Sequence, residues 1–348
     1  MRLVTLLLLL VTATSNLNCR DMGFELSCKI TVGDYVYRSC HSAKVESLRT
    51  RIGDTCTLVL PTKGVVKSQN YQSVAMDKYV KEGMPVQVEL GYDGVLETRF
   101  IGYVKNVNPN DSFTLECEDE VYTLKRAAPI TKTFTNISLK DLLKAFKSDI
   151  NLLNSIPDIV IDEFVCHNAT PAEALQQLKD VYHLDIYFRG KELFAGVAYT
   201  EPNRPTHKYL VRSDGKQICN IQKDNLTYLS ADNKKIQVKA VSMLADNTKL
   251  ETSVGDKNGE TRTEYFYNIK TVKELTALAN AKLPTYKVSG YEGNIVTWGL
   301  PVIAHGDGMN IIDPRFKERA GTYVCDGVTD LFNENGYELT VLVGQKIS

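Results

Sequence analysis

The chain has 348 residues, enough for about two or three domains with cores of their own. Its 41 basic and 42 acidic residues leave a formal charge of −1 and no Lys/Arg-rich block, which argues against a phosphate-backbone footprint and sequence-specific nucleic-acid binding. The eight cysteines include no Cys-x-x-Cys pair and the five histidines show no metal-ligand spacing, so no metal site, cofactor or disulfide framework is expected.

The N-terminus supports two readings. Arg2, an apolar run over residues 3–11 and Ala13-Thr14-Ser15 have the shape of a secretory signal, too short to span a bilayer. Alternatively Met22-Gly23 is the true start and residues 1–21 are an extension of the reading frame. From there Phe24, Leu26, Cys28, Ile30 and Val32 alternate with polar residues, the pattern of a half-buried strand, and Gly33-Asp34 turns it. Further alternating runs hold Cys56, Leu58 and Leu60, then Val86, Val88 and Leu90, then residues 96–107 and 112–124, joined by an Asn108-Pro109-Asn110-Asp111 turn. Short strands at this spacing predict a small antiparallel barrel or sandwich, with Cys28 and Cys117 as small buried hydrophobes.

The pattern changes after Arg126. Ser138 with Asp141 caps a helix carrying Leu139, Leu142, Leu143 and Phe146, and Thr170-Pro171-Ala172-Glu173 starts a second with Ala174, Leu175, Leu178, Val181 and Tyr182 on one side. A hairpin follows, out through Leu184, Ile186 and Phe188, around Arg189-Gly190-Lys191 and back to Tyr199, and Glu201-Pro202-Asn203-Arg204-Pro205 reads as a linker. Strands resume from Tyr209, over residues 218–221, 236–241 and 264–269, with 247–262 as an exposed loop or long hairpin. Thr271 and Glu274 cap another helix, which Pro284 is expected to stop.

The early signals return in order near the C-terminus. Gly83-Met84-Pro85-Val86 is echoed by Gly299-Leu300-Pro301-Val302, residues 100–104 by 322–325, and the turn at Asn108 by Asn333-Glu334-Asn335-Gly336. One β unit written twice is the reading drawn from this. The predicted fold class is mainly β with α+β insertions, with two similar small antiparallel β-barrels in one chain. The expected divisions are 1–21 extension, 22–125 first barrel, 126–204 α+β insertion, 205–228 first strands of the second barrel, 229–290 a mixed β/α domain and 291–348 the rest of the second barrel.

No phosphate loop, nucleophile elbow or zinc-protease helix motif is present, and no catalytic residue is assigned. His305 beside Gly306-Asp307-Gly308 reads as a tight turn. Asp158, Asp162 and Glu163 are the carboxylates a cell-wall hydrolase would need, a minor alternative. Trp298, the only tryptophan, is expected in core or interface packing. The sequons at Asn110, Asn136, Asn168 and Asn225 matter only in a glycosylating host.

The order of these pieces resembles the tail hub proteins of phage baseplates, the late control protein D family, related to the hub part of VgrG. The resemblance is carried by Gly83-Met84-Pro85-Val86 with residues 100–104 and 113–118, the helices begun at Ser138 and Thr170 with the following hairpin, and the stretch from Gly321-Thr322-Tyr323 to Gly344. It implies tube-type barrels and a non-enzymatic homotrimer whose six barrels join a sixfold tail tube protein to a spike or tip protein, with a tape measure protein as a further partner. It also implies a place in the virion tail baseplate, assembled in the bacterial host cytoplasm, and favours Met22 as the start. A genuine signal peptide would instead imply a secreted or surface β-rich binding protein.

Overall fold

The computed structural model describes residues 24–65, 73–109, 112–153, 156, 160–182, 184–196, 204–211, 220–244, 248–267 and 269–347. In chain order the strands are β1 (Leu26–Val32), β2 (Tyr35–Tyr37), β3 (Ser42–Leu48), β4 (Thr55–Leu60), β5 (Lys63–Val65), β6 (Ser73–Ala75), β7 (Pro85–Tyr92), β8 (Val95–Asn108) and β9 (Phe113–Glu118). Helix α1 (Val121–Arg126) leads to β10 (Ile130–Ser138), α2 (Leu139–Phe146), β11 (Asn151–Leu152), β12 (Val160–Ala169), α3 (Pro171–Tyr182), β13 (Asp185–Arg189) and β14 (Glu192–Gly196). The rest comprises β15 (Thr206–Leu210), β16 (Lys223–Leu229), β17 (Ile236–Met243), β18 (Lys249–Gly255), β19 (Glu260–Tyr267), α4 (Val272–Tyr286), β20 (Gly290–Thr297), β21 (Gly308–Ile312), β22 (Gly321–Asn333) and β23 (Gly336–Lys346).

The protein is mainly β, as the alternation implies. The expected pair of barrels is realised differently: no closed barrel forms among the described strands, and the strands of both halves join one 13-stranded sheet. Its path runs β16-β20-β23-β22-β3-β4-β9-β8-β7-β1-β2, with β21 and then β15 added on β22. The seam is β3 against β22, from Leu48 opposite Gly327 to Ser42 opposite Asn333.

On either side of that seam lies the same six-strand arrangement. In the first half the spatial order is β1-β7-β8-β9-β4-β3, and in the second β15-β21-β22-β23-β20-β16, with the strands taken up in the same chain order. The agreement extends to single bonds. Gly83 N–H donates to the Val104 carbonyl at 2.8 Å and Val104 N–H to Met84 at 2.9 Å; Gly306 N–H donates to the Cys325 carbonyl and Cys325 N–H to Asp307, each at 2.8 Å. Gly83 and Gly306 have φ of +83° and +87°, the left-handed region that glycine occupies without steric cost. One residue later both long strands carry a bulge, Val104/Asn106 against Cys117/Glu116 and Cys325/Gly327 against Val343/Leu342. The equivalent of Gly83 is therefore Gly306, not Gly299. The proline that starts β7 at Pro85 and the one at Pro301, which lies in a loop, are unrelated in place.

Among the described residues the burial defines four cores. The first packs Ile30, Leu58, Val88, Val104 and Leu115, and takes in Phe332 and Tyr337 from the β22–β23 hairpin. The second gathers Leu142, Leu143, Leu175, Leu178, Ile186 and Leu193 of the α+β insertion. The third holds Tyr209, Tyr291, Ile295, Tyr323 and Val341, and the fourth Val238, Ala240, Leu275 and Ala279.

The predicted caps form: Asp141 N–H donates to Ser138 Oγ at 3.1 Å, Glu173 N–H to Thr170 Oγ1 at 3.3 Å and Glu274 N–H to Thr271 Oγ1 at 3.3 Å. Other expectations need correction. The strand expected over 112–124 ends at Glu118, because Asp119 Oδ1 accepts the Val121 N–H at 2.9 Å and turns the chain into α1. Pro284 lies inside α4, which continues to Tyr286, since a missing N–H near a helix end removes only one bond. The stretch read as a loop or hairpin forms β18 and the start of β19, which flank β17 antiparallel and parallel instead of pairing with each other. Phe24, expected to face the core, is 60% exposed and rests edge-on against Tyr92. The six described cysteines are free thiols, five of them buried. No described helix is long and apolar enough to cross a membrane. Residues 1–23, and with them both readings of the N-terminus, lie outside the described residues.

Candidate functional site

The residues considered for chemistry do not converge. Asp162 and Glu163 are consecutive on β12 and both exposed, so they project to opposite sides of the strand instead of across a cleft; Asp158 lies outside the described residues. Around His305 the chain makes the expected tight turn, with Asp307 N–H donating to the Ala304 carbonyl at 3.1 Å. Trp298 is 46% exposed and Leu300 49%, so the tryptophan is not part of the core. Of the sequons, Asn136 and Asn168 occupy left-handed backbone positions, at φ of +48° and +50°, which asparagine tolerates better than most residues. Asn225 bonds to Asn294 across β16 and β20 at 3.0 Å, and Asn110 lies outside the described residues.

What the structure does assemble is a charged joint where the first half, the insertion and the second half meet. Each of the three boundaries is crossed by an arginine paired with an aspartate. Arg99 of β8 reaches Asp330 of β22 at 2.8 Å, with side-chain exposures of 3% and 4%, and Tyr337 Oη donates to the same oxygen at 2.6 Å. Arg49, just past β3, pairs with Asp185 at the start of β13 and also with Asp326 of β22 at 2.9 Å. Its backbone N–H donates to the Asp326 carbonyl at 3.0 Å. Arg189, at the end of β13, donates to the His305 carbonyl at 3.2 Å and lies 3.5 Å from Asp307 Oδ1. The hairpin β13–β14 is thus wedged between the loop after β3, where Phe188 N–H donates to the Ile52 carbonyl at 3.1 Å, and the loop before β21.

The electrostatics are those of a fixed joint. Burial raises the Asp330 carboxyl from its ordinary value, while Arg99 and the Tyr337 hydroxyl pull it down. For Asp185, burial again raises and Arg49 lowers. Burial, helped by Arg189, pushes the His305 imidazole down to about 4, so it stands neutral at pH 7, edge-on to Tyr187 with ring centroids 4.6 Å apart. Asp307 is fully engaged: Oδ2 accepts the Ala304 N–H at 3.0 Å and lies 3.3 Å from His207 Nε2. A cavity of about 220 Å³ between these elements is lined by Asp54, Arg99, Asp119, Arg189, His305 and Asp330 among others. Loss of hydration raises the carboxyls of both Asp54 and Asp119, and Asp54 is raised further by the neighbouring Asp119 charge. Among the described residues no group of His, Cys, Asp or Glu is arranged to hold a metal ion.

Such pairs add little net stability over well-packed apolar residues, but stripping one partner leaves a buried charge that costs about 3–5 kcal/mol. Within the closed joint each pair therefore fixes its partner's position, since a shift that separates the two charges without exposing them to water is penalised. The joint's chemistry is orientation, and nothing in it places a nucleophile beside a base.

No protein-family model matches the chain, and no curated protein matches it by sequence. Solved structures do. The tail protein from Neisseria meningitidis MC58 superposes with a TM-score of 0.63 at 14% identity, over 92% of this chain and 96% of its own. The 43 kDa tail protein of prophage MuSo2 from Shewanella oneidensis gives 0.60 at 13%, over 92% and 98%. The fold is that of phage tail proteins. A chain of the Francisella PdpA–VgrG complex shares it at a TM-score of 0.53 and 13% identity, over 93% of this chain and 58% of that one. The tail-protein fold and its VgrG-related form are thus what the resemblance in element order pointed to, and the similar tail proteins span nearly the whole chain.

Proposed function

We propose that the protein is the structural hub of a phage or prophage tail baseplate or a related injection apparatus, of the late control protein D type. Three copies form a ring whose six near-equivalent β units face a sixfold tail tube protein on one side and a threefold spike or tip protein on the other, with a tape measure protein as a further contact. The observation that carries this reading is the six-strand unit present twice in one chain, down to the paired bonds at Gly83 and Gly306 and the matching bulges. A chain holding two copies of one unit presents six copies as a trimer. The role is non-enzymatic and the protein belongs to the virion. The divisions at 125, 204, 228 and 290 are kept in this plan: residues 205–228 and 291–348 share one core, and the cores of the first unit and of the insertion each take in residues from across a division.

Native mass measurement of the protein alone and mixed with its tube and spike partners tests the reading. It expects three copies of the chain per particle. A single copy in every mixture overturns it.

A further inference from the structure

The first unit carries a pair of cysteines with no counterpart among the described residues of the second. Cys28 lies on β1 opposite Leu90 of β7, with its side chain in the first core. Cys40 lies in the loop just before β3 and packs on the same core. The next residue, His41, donates its N–H to the Val59 carbonyl at 2.8 Å, which seats this loop beside the end of β4. The two sulfurs are 4.0 Å apart. In the spatial order β1-β7-β8-β9-β4-β3, β1 and β3 stand at opposite ends, and no described strand pairing joins them. The thiol contact therefore spans the opening between the two ends of the unit. Among the described residues the third core holds one cysteine, Cys325, at the position that Val104 takes in the first unit.

We propose that Cys28 and Cys40 are a modification site, a thiol pair that a peroxide closes into a disulfide, fastening β1 to the entry of β3. This goes beyond the hub reading and does not depend on it. A sulfur–sulfur bond is about 2 Å long, so the two atoms must approach further, and Cys40 sits in a loop between the exposed Ser39 and His41, not in a strand ladder. In the reaction Cys28 attacks the peroxide as a thiolate and becomes a sulfenic acid, while the displaced hydroxide takes up the thiol proton as water. Cys40 then attacks that sulfur, and its own proton leaves with the hydroxyl as a second water. Two thiols and one hydrogen peroxide thus give one disulfide and two waters.

Three features single out this pair. Cys40 is half-buried, whereas Cys28, Cys56, Cys117, Cys166 and Cys325 are buried, so a small oxidant reaches the pair from the Cys40 side. The hydrogen-bonding contact with Cys40 holds the Cys28 thiol below its ordinary value against the burial that raises it, and Cys40 is raised in turn, which makes Cys28 the attacking group. The neighbouring thiols are set the other way: Cys56 and Cys117 stand opposite each other on β4 and β9, and burial pushes Cys56 well up and Cys117 up to about 12, leaving both protonated and shielded. A bridge between Cys28 and Cys40 restrains the unfolded chain over that loop and so stabilises the first unit. For a protein released from a reducing cytosol into an aerobic medium, the bridge closes after assembly.

The test is to reduce the purified full chain, expose it folded to hydrogen peroxide, block the remaining thiols and map the tryptic peptides without reduction. Trypsin cuts after Lys29 and Arg38, so the two cysteines fall on separate peptides that only the bridge holds together. The expected result is a peptide pair joined through Cys28 and Cys40, two hydrogens lighter than the sum of its parts and separated by reductant. The oxidised parent is also expected to unfold at a higher temperature than the reduced parent, a shift that Cys40→Ser abolishes. Recovery of Cys28 and Cys40 each blocked singly after peroxide, or of a bridge from either one to any other cysteine, overturns the proposal. So does an equal shift in Cys40→Ser. The peptide map of the parent decides the matter even if the variant fails to fold, and the number of chains per particle, which tests the hub reading, does not enter it.

Discussion

The two six-strand units share strand order, left-handed glycine and bulge, but differ in their first strand. β1 runs antiparallel to β7, whereas β15 runs parallel to β21. The pairing that tolerates this change is at the outer edge, while the meander β7-β8-β9 and its counterpart β21-β22-β23 keep the same sense throughout. What is preserved is the part that makes the seam. The difference teaches that the interior of the sheet carries the repeated design, and that the pairing at its outer edge varies.

The seam is the place to break first. Asp330→Ala strands the Arg99 guanidinium in the buried boundary, and a loss of about 3–5 kcal/mol is expected by denaturant titration. The triple change Arg99→Met, Asp330→Leu and Tyr337→Phe removes both charges together with the hydroxyl that donates to Asp330, and should recover most of it, because the boundary keeps its packing. Recovery that fails would show the pair to be more than an orienting device. The equivalence of the halves can be sharpened next. Leu58 and Ile295 occupy matching positions, each fully buried, one opposite Leu115 and the other opposite Val341. Truncating either to alanine should cost about 2–5 kcal/mol. Costs that differ by more than that spread would mean the two cores are not packed alike.

A pH series separates the joint from the units. The His305 imidazole is lowered from 6.5 to about 4, so its contribution is complete above pH 6.5 and is lost as pH falls toward 4. Asp119 works oppositely: raised from 3.8 to about 7, it favours the fold below pH 3.8 and loses that contribution as pH rises to 7. Comparing His305→Phe with the parent protein isolates the first effect, and the variant should lose about 2–3 kcal/mol less between pH 6.5 and 4. Parallel pH curves for the two proteins would contradict a buried neutral histidine. The smallest effect expected is Thr170→Ala, about 1 kcal/mol from the lost cap of α3, confined to the insertion and leaving the matched halves untouched.

Local chemistry was legible where a residue acts on its own neighbourhood. Ser138, Thr170 and Thr271 announced their helices because a cap and its partner lie three residues apart, and the alternation at Ile30, Leu58 and Val88 announced strands because burial has a period of two. The repeat was legible as an order of signals but mis-set by seven positions at Gly299, since proline and glycine mark turns of many kinds. The single bond pattern at Gly306 needs the partner strand to be seen. The joint was not legible at all: Arg49, Arg99 and Arg189 meet aspartates far along the chain, 136 residues away for Arg49 and Asp185, and no local pattern distinguishes a buried arginine in a strand from a solvated one. Closed barrels were expected because strand spacing reports strand length and turns, not whether the last strand returns to the first or joins a neighbouring unit.

The proposed ring of duplicated units is addressed most directly by electron-microscopy class averages of the purified protein viewed down its axis. Six lobes alternating in two kinds around a central opening are the predicted image. Averages showing two lobes without a ring, in the presence of tube and spike partners, would contradict it.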